Sequence, residues 1–218
     1  MTYPSTNSRF IARLLLLVSL CLPLLAAAGT YEDLIRAVEE SNLQDMAELL
    51  AKGADPNTPD AQGNTLLMIA VRKGNSSLVK LLLDAGAKLN LRNSHGDTAI
   101  MLASYEGLVD IVRQLYVKGA AINHQGWNPL IYAATGGHVQ VVQMLLGAGS
   151  EINSASDNGT TALMMAARNN HAGTVRVLLK AGANPNNKND SGGTALGWAL
   201  DRGYREVAEL LIKSGADE

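Results

Sequence analysis

One stretch, AAINHQGWNPLIYAATGGH from Ala120 to His138, gathers two of the four histidines and one of the two tryptophans of the chain around a Gly-Gly pair. Residue types like these could build a metal site or a small acid/base centre. Zinc needs three or four protein ligands at about 2.0–2.1 Å, and the register argues against that. His138 stands five residues after Ala133, and His171 stands five residues after Ala166. Equivalent positions on neighbouring helices lie roughly 10 Å apart, too far to share one ion. His124 falls outside this register and is expected at a loop tip, in reach of a partner. Met68, Met101 and Met164 form a row that in an exported protein suggests Cu(I). Ile131 interrupts that row, and the same separation divides its members, so pliable core filling is the expected role. No G-x-x-x-x-G-K-[ST], G-x-S-x-G or H-E-x-x-H occurs, and GAG at Gly147–Gly149 lacks the rest of a dinucleotide fingerprint. The expectation is a non-enzymatic protein with no catalytic residue, metal or cofactor.

The elements that carry these residues repeat. An alanine recurs at Ala37, Ala70, Ala103, Ala133, Ala166 and Ala199, and a glycine follows each at a constant distance of 16, at Gly53, Gly86, Gly119, Gly149, Gly182 and Gly215. Leu34, Leu67, Ile100, Leu130, Leu163 and Leu196 lie three residues before the alanines, on the same helix face. Thr65, Thr98, Thr161 and Thr194 precede the apolar pattern, where a hydroxyl caps orphan N–H groups. The glycines close a second helix, as a residue with positive φ does. Asn, Asp, Ser and Gly dominate the intervening fingers, as turns prefer.

Recurring G-x-T-x-L (Gly63 to Leu67), L-L-L-x-A-G-A-x-x-N (Leu81 to Asn90) and T-A-L-x-x-A (Thr161 to Ala166) complete the pattern. On these motifs the chain resembles the ankyrin-repeat proteins, and within them the exported ankyrin-repeat proteins of Gram-negative bacteria. The resemblance implies an all-α ankyrin-repeat solenoid of six helix-turn-helix repeats, joined by β-turn or hairpin fingers, with other proteins as partners. The repeats are expected at about 30–58, 59–91, 92–124, 125–154, 155–187 and 188–218. Methionine replaces the histidine of the family's T-P-L-H motif at three positions, which weakens the family's usual Thr-His bonding to the finger. Most fingers span 17 residues from glycine to alanine, but Gly119 to Ala133 spans 14, so finger four is three residues short.

The first 28 residues have the three parts of a secretory leader: basic Arg9 and Arg13, apolar Leu14 to Leu25, and Ala26 to Ala28 before Gly29. Their apolar run, which contains Pro23, is shorter than the roughly 20 residues of a spanning helix. We therefore expect a signal peptide over 1–28, cleavage between Ala28 and Gly29, and a repeat domain over 29–218. Cys21 follows Leu20 rather than a small residue, which speaks against lipidation. The only cysteine leaves with the leader, so stability must come from packing. Net charge is −2, and loss of Arg9 and Arg13 takes it to −4, a balance that argues against binding nucleic acid. Thr30 and Asp33 suggest a capping box at the start, and exposed charge on both terminal repeats suits a complete solenoid.

What remains is surface. The residue before each repeated alanine is expected to face the concave side: Ile69, Leu102, Tyr132, Met165 and Trp198, flanked by Arg202 and by finger residues Arg92, His95, His124 and Trp127. An apolar row rimmed by mixed charge suits a protein-binding groove. The expectation is a monomeric, periplasmic or secreted binding module that does not enter the membrane. Two narrower roles are an immunity or inhibitor protein for an exported toxin or hydrolase, and an accessory factor for a periplasmic enzyme such as a catalase. A neighbouring toxin gene would mark the first, and loss of that enzyme's activity in a deletion strain the second.

Overall fold

A computed structural model describes residues 31–217. The predicted leader and its Ala28–Gly29 cleavage site, and Thr30 of the expected capping box, lie outside the described residues. Twelve helices follow one another in six pairs among the described residues. They are α1 (31–39), α2 (Leu43–Ala51), α3 (Leu66–Arg72), α4 (Ser76–Asp84), α5 (Ala99–Tyr105), α6 (Val109–Val117), α7 (Pro129–Gly136), α8 (Val139–Gly147), α9 (Ala162–Arg168), α10 (Ala172–Lys180), α11 (Ala195–Asp201) and α12 (Arg205–Lys213). Odd-numbered helices stack in an inner row and even-numbered ones in an outer row. The fingers contain no strand among the described residues, although isolated antiparallel bridges join Pro59 to Thr65 and Ala155 to Thr161.

Most inner helices start where the sequence provides a cap, although the expected cap at Thr98 fails, its hydroxyl being buried with no partner among the described residues. Thr65, Thr161 and Thr194 accept from the N–H groups of Met68, Met164 and Gly197, and Asn128 takes the same position in repeat four by accepting from Ile131 N–H. Pro129 follows at the first helical position, where its missing N–H is no loss. The three methionines are buried as expected, and two do more than fill space: Met101 and Met164 Sδ accept the Thr98 and Thr161 N–H groups at 3.4 Å. Sulfur thus takes on part of a capping role for which the sequence suggested only a loss.

Packing is dictated by the repeated Leu and Ala. All six alanines are at most 2% exposed, which lets successive inner helices approach closely, and one apolar cluster runs from Leu34 to Leu211. The outer helices end on glycines with positive φ, as at Gly119 (98°). Charged groups of α2 and α12, including Asp45, Glu48, Arg205 and Glu209, are exposed. Asp33 pairs with Arg36 one turn along α1.

A ladder of asparagines locks the repeats in register. Asn57, Asn90, Asn123, Asn153 and Asn186 each accept, through Oδ1, the backbone N–H of a residue in the next repeat: Lys88, Ala121, Glu151, Asn184 and Asp217, at 2.7–3.0 Å. The last residue of the L-L-L-x-A-G-A-x-x-N motif is therefore an inter-repeat staple, a nearest-neighbour term in a one-dimensional array.

Candidate functional site

The shortened finger changes the surface more than a three-residue deletion suggests. In the full-length fingers a side chain near the tip folds the turn upon itself. Asp60 Oδ1 accepts from Gln62 and Asn64 N–H, Asn93 Oδ1 from His95 and Asp97 N–H, and Asn189 Oδ1 from Ser191 and Gly193 N–H, at 2.7–3.1 Å. Neighbouring tips are also joined, Ser94 N–H to Gln62 O at 3.2 Å and Asp190 N–H to Asn158 O at 3.0 Å. Finger four has only His124, Gln125, Gly126 and Trp127 between Asn123 and Asn128, too few to build such a turn. The row of tips is therefore broken between fingers three and five. A cleft of about 590 Å3 opens there, lined by His124, Gly126, Glu151, Ser156 and Asp157 among others. The Asp157 carboxylate closes against Gly126, 3.0 Å from where a Cβ would stand.

Repeat four is also cut down at the far edge of the inner face. Long side chains stand two residues after the repeated alanine in repeats two, three and five (Arg72, Tyr105, Arg168), and Lys73, Glu106, Asn169 and Arg202 follow at the next position. Repeat four has Thr135 and Gly136 instead. Thr135 folds its hydroxyl onto Ile131 O at 2.7 Å. Residue 136 must be glycine, because a Cβ would lie 2.6 Å from Tyr105 O and 2.5 Å from the His138 ring.

Aromatic rings line the gap between these two edges. Tyr132 of α7 stands in the middle, with its ring centroid 5.5 Å from Trp127 and 6.1 Å from Tyr105, both nearly perpendicular to it. Edge-to-face pairs of this kind hold rings rigidly. The Tyr132 hydroxyl donates to Asp97 Oδ1 of finger three. Burial, and then the Asp97 carboxylate as acceptor, push the Tyr132 phenol well above its ordinary pKa. Trp127 is 37% exposed and Tyr105 47%, so two large rings face solvent on a fixed base.

The other expected surface residues divide. Trp198 is half-buried, with the Arg168 guanidinium 5.5 Å from its ring centroid, and Arg202 lines the same cleft. Leu102 is half-buried, and His95 is exposed. Arg92 is exposed but engaged, donating to Gly96 O at 2.7 Å and standing 3.3 Å from His124 Nδ1. His124 Nδ1 also faces Gln125 O at 3.0 Å, and a nitrogen that donates there cannot accept from Arg92, so the two side chains are neighbours across fingers three and four rather than a hydrogen-bonded pair. Met165 and Ile69 are corrections to the sequence reading: at 6% and 3% exposed they belong to the core. Both join the apolar cluster between adjacent inner helices, whereas Leu102, Tyr132 and Trp198 are only partly covered. Tyr105, Asp97 and Arg168 were missed by the sequence reading. Tyr105 and Arg168 share an outward position two residues after the repeated alanine, a signal present in the repeat itself. Asp97 had none, since its partner lies 35 residues away.

His138 and His171 stand at the N-cap positions just before α8 and α10 and face the preceding repeat, with Nε2 2.6 Å from Tyr105 O and 3.0 Å from Thr135 O. A ring nitrogen that faces a carbonyl must donate, so both are Nε2–H and serve as inter-repeat struts. The preceding turn makes room for each ring: a Cβ on Gly107 would lie 2.4 Å from His138, and one on Gly137 2.5 Å from His171. Among the described residues no three His, Cys, Asp or Glu side chains come together as metal ligands, and no helix is long and apolar enough to cross a membrane.

Compared with known families, the sequence matches the model described as Ankyrin repeats (3 copies) over residues 34–125, 67–156 and 130–218. No curated protein matches.

Proposed function

The chain belongs to the ankyrin-repeat family, whose repeats indicate a protein–protein interaction module, and from that premise we propose that a partner protein docks on the inner face at repeat four. One coincidence carries this reading: in the same repeat the finger is shortened and the side chains at the helix end are small, and the gap between them is paved by Trp127, Tyr132 and Tyr105. Either change alone would be tolerated loop or helix variation. Together they open a path across the inner face over rigid aromatic anchors, the residue types that dominate interface hot spots. Because Tyr132 is tied to Asp97 and stacked on both sides, the surface is preformed and little order need be gained on binding. Proteins of this family are in general binding modules rather than enzymes, and the residues of this face serve contact rather than chemistry.

We place this module in the periplasm, on the strength of Arg9, Arg13, the apolar run to Leu25 and the alanines before Gly29. Export predicts that the mature N-terminus is Gly29, and an intact Met1 on the purified protein would reject it. Docking is tested by comparing capture from periplasmic extract by the wild-type chain, by Trp127→Ala, and by a variant with three residues inserted after Asn123 to restore a full finger. Both changes should leave helical circular dichroism intact. Trp127→Ala should weaken capture by roughly thirtyfold, a hot-spot loss of about 2 kcal/mol, and the insertion should block it. Unchanged capture by both variants would remove the partner from repeat four.

A further inference from the structure

The chemistry of the inner face changes toward repeats five and six, and we propose a second recognition site there, a cleft that binds the carboxylate side chains of an acidic segment of the partner protein. This deepens the inner-face reading and rests on it. The cleft encloses about 510 Å3 between α9, α11 and fingers five and six, with Arg168, Trp198, Arg202, Asn158 and Asn189 among its walls.

Its hydrogen-bonding capacity is lopsided. Asn158 Oδ1 is taken up inside its own finger by Ser156 Oγ at 2.7 Å and Thr160 N–H at 3.3 Å. Asn189 Oδ1 likewise accepts from Ser191 and Gly193 N–H, at 3.1 and 2.7 Å. The turns consume the acceptor end of each amide, so what each Asn can offer the cleft is its NH2 group, which has no partner among the described residues. Neither Arg168 nor Arg202 forms an ion pair among the described residues. Two guanidiniums and two amides therefore supply donors, against the Asp201 carboxylate and the Thr160 hydroxyl as acceptors on the walls. The cleft is locally positive in a chain whose net charge is −2. A cationic segment would meet unpaired arginines, whereas carboxylates can take paired N–H bonds from each planar fork.

Rigidity supports the same assignment. The Arg168 guanidinium lies over the Trp198 ring, 5.5 Å from its centroid, which restrains a side chain that would otherwise be free. Trp198 is placed in turn by finger six, where its Nε1 lies 3.0 Å from the position of a Cβ on Gly193. The corresponding finger positions carry Asn64, Asp97, Trp127 and Thr160, so a glycine here makes room for the indole.

The two tryptophans of the full chain provide the test, because each gives one indole N–H signal in a 15N spectrum and Trp127→Phe assigns them. Hexaglutamate, hexalysine and inorganic phosphate are added separately at matched ionic strength. Hexaglutamate should move the Trp198 signal saturably, while hexalysine and phosphate leave it in place. Arg202→Gln, which keeps the Arg168–Trp198 stack, should weaken hexaglutamate binding roughly three- to tenfold, as loss of an exposed charge-assisted contact does. A stationary Trp198 signal, an equal response to hexalysine, or unchanged affinity in Arg202→Gln overturns the proposal. An equal response to phosphate also overturns it, in favour of a small-anion site. If hexaglutamate fails while Trp127→Ala loses its partner, this cleft falls and the inner-face reading stands. If hexaglutamate binds while Trp127→Ala and the finger insertion capture normally, the cleft stands and the assignment to repeat four falls.

Discussion

Replacement of Asn123 by alanine probes the ladder at the repeat that also forms the candidate site. Asn123 makes two bonds to the next repeat, accepting from Glu151 N–H at 3.0 Å and donating to Gly149 O at 2.9 Å. Asn90, one repeat earlier, makes a single bond, to Ala121 N–H at 3.0 Å. Each such bond has a net worth of about 0.5–1.5 kcal/mol, and these lie near the surface, where water replaces a lost partner and favours the lower end. Asn123→Ala should therefore cost about 1–2 kcal/mol and Asn90→Ala about half as much. For a domain of this size each kcal/mol lowers Tm by roughly 2–4 °C. Urea unfolding followed by circular dichroism measures both. Asn123→Asp keeps the acceptor for Glu151 N–H but loses the donor to Gly149 O, so it should fall between wild type and alanine. If Asn123→Ala is as stable as wild type, or if Asn90→Ala costs more, the ladder does not couple the repeats as described.

Three further changes test other parts of the fold. The Thr174 hydroxyl is fully buried with no partner among the described residues; Thr174→Val, which removes the unmet polar group at constant shape, should raise stability by about 1 kcal/mol in the same assay, and a loss would mean that the hydroxyl is satisfied. Ser41 has φ of 55° at the turn position that Gly74, Gly107, Gly137 and Gly203 occupy in other repeats, so Ser41→Gly should raise the urea midpoint by relieving about 1 kcal/mol of left-handed strain; a lower midpoint would contradict that. The Tyr132 phenol is held above its ordinary value of 10.0, so its contribution is complete below pH 10 and declines as pH rises beyond it, because the unfolded phenol ionises first. The stability difference between wild type and Tyr132→Phe should then shrink from pH 9 to pH 11, and a constant difference would refute the assignment.

Periodicity made most of the architecture legible. The alanines, the preceding Leu or Ile and the closing glycines all stand where the repeat spacing puts them, because each is a local requirement of a helix face or a helix end. The short finger was legible as a break in spacing. Its neighbours were not: that Thr135 and Gly136 lower the opposite edge appears only when inner helices are compared side by side. Outward-facing residues were read less well. Position before the repeated alanine marks a helix angle, but whether the side chain there emerges depends on what the neighbouring repeats pack against it: Leu102 is half-buried although it is shorter than Met165. Met165 and Ile69 are covered by that packing, while Tyr132 and Trp198 are only partly covered.

By itself the sequence determined that this chain builds six stacked helix pairs, where several inner helices start and where the outer helices stop, and that one finger differs from the rest. Those features depend on residues within one repeat, whose spacing along the chain equals their spacing in space. Tertiary structure alone decided the contacts between repeats: the asparagine ladder, the histidine struts, the Tyr132–Asp97 bond, and the donor-rich cleft around Trp198. Such partners lie roughly 30 residues apart, and no local pattern records which side chain meets which. The binding face is made of these contacts, and for that reason its chemistry emerges only when the repeats are stacked.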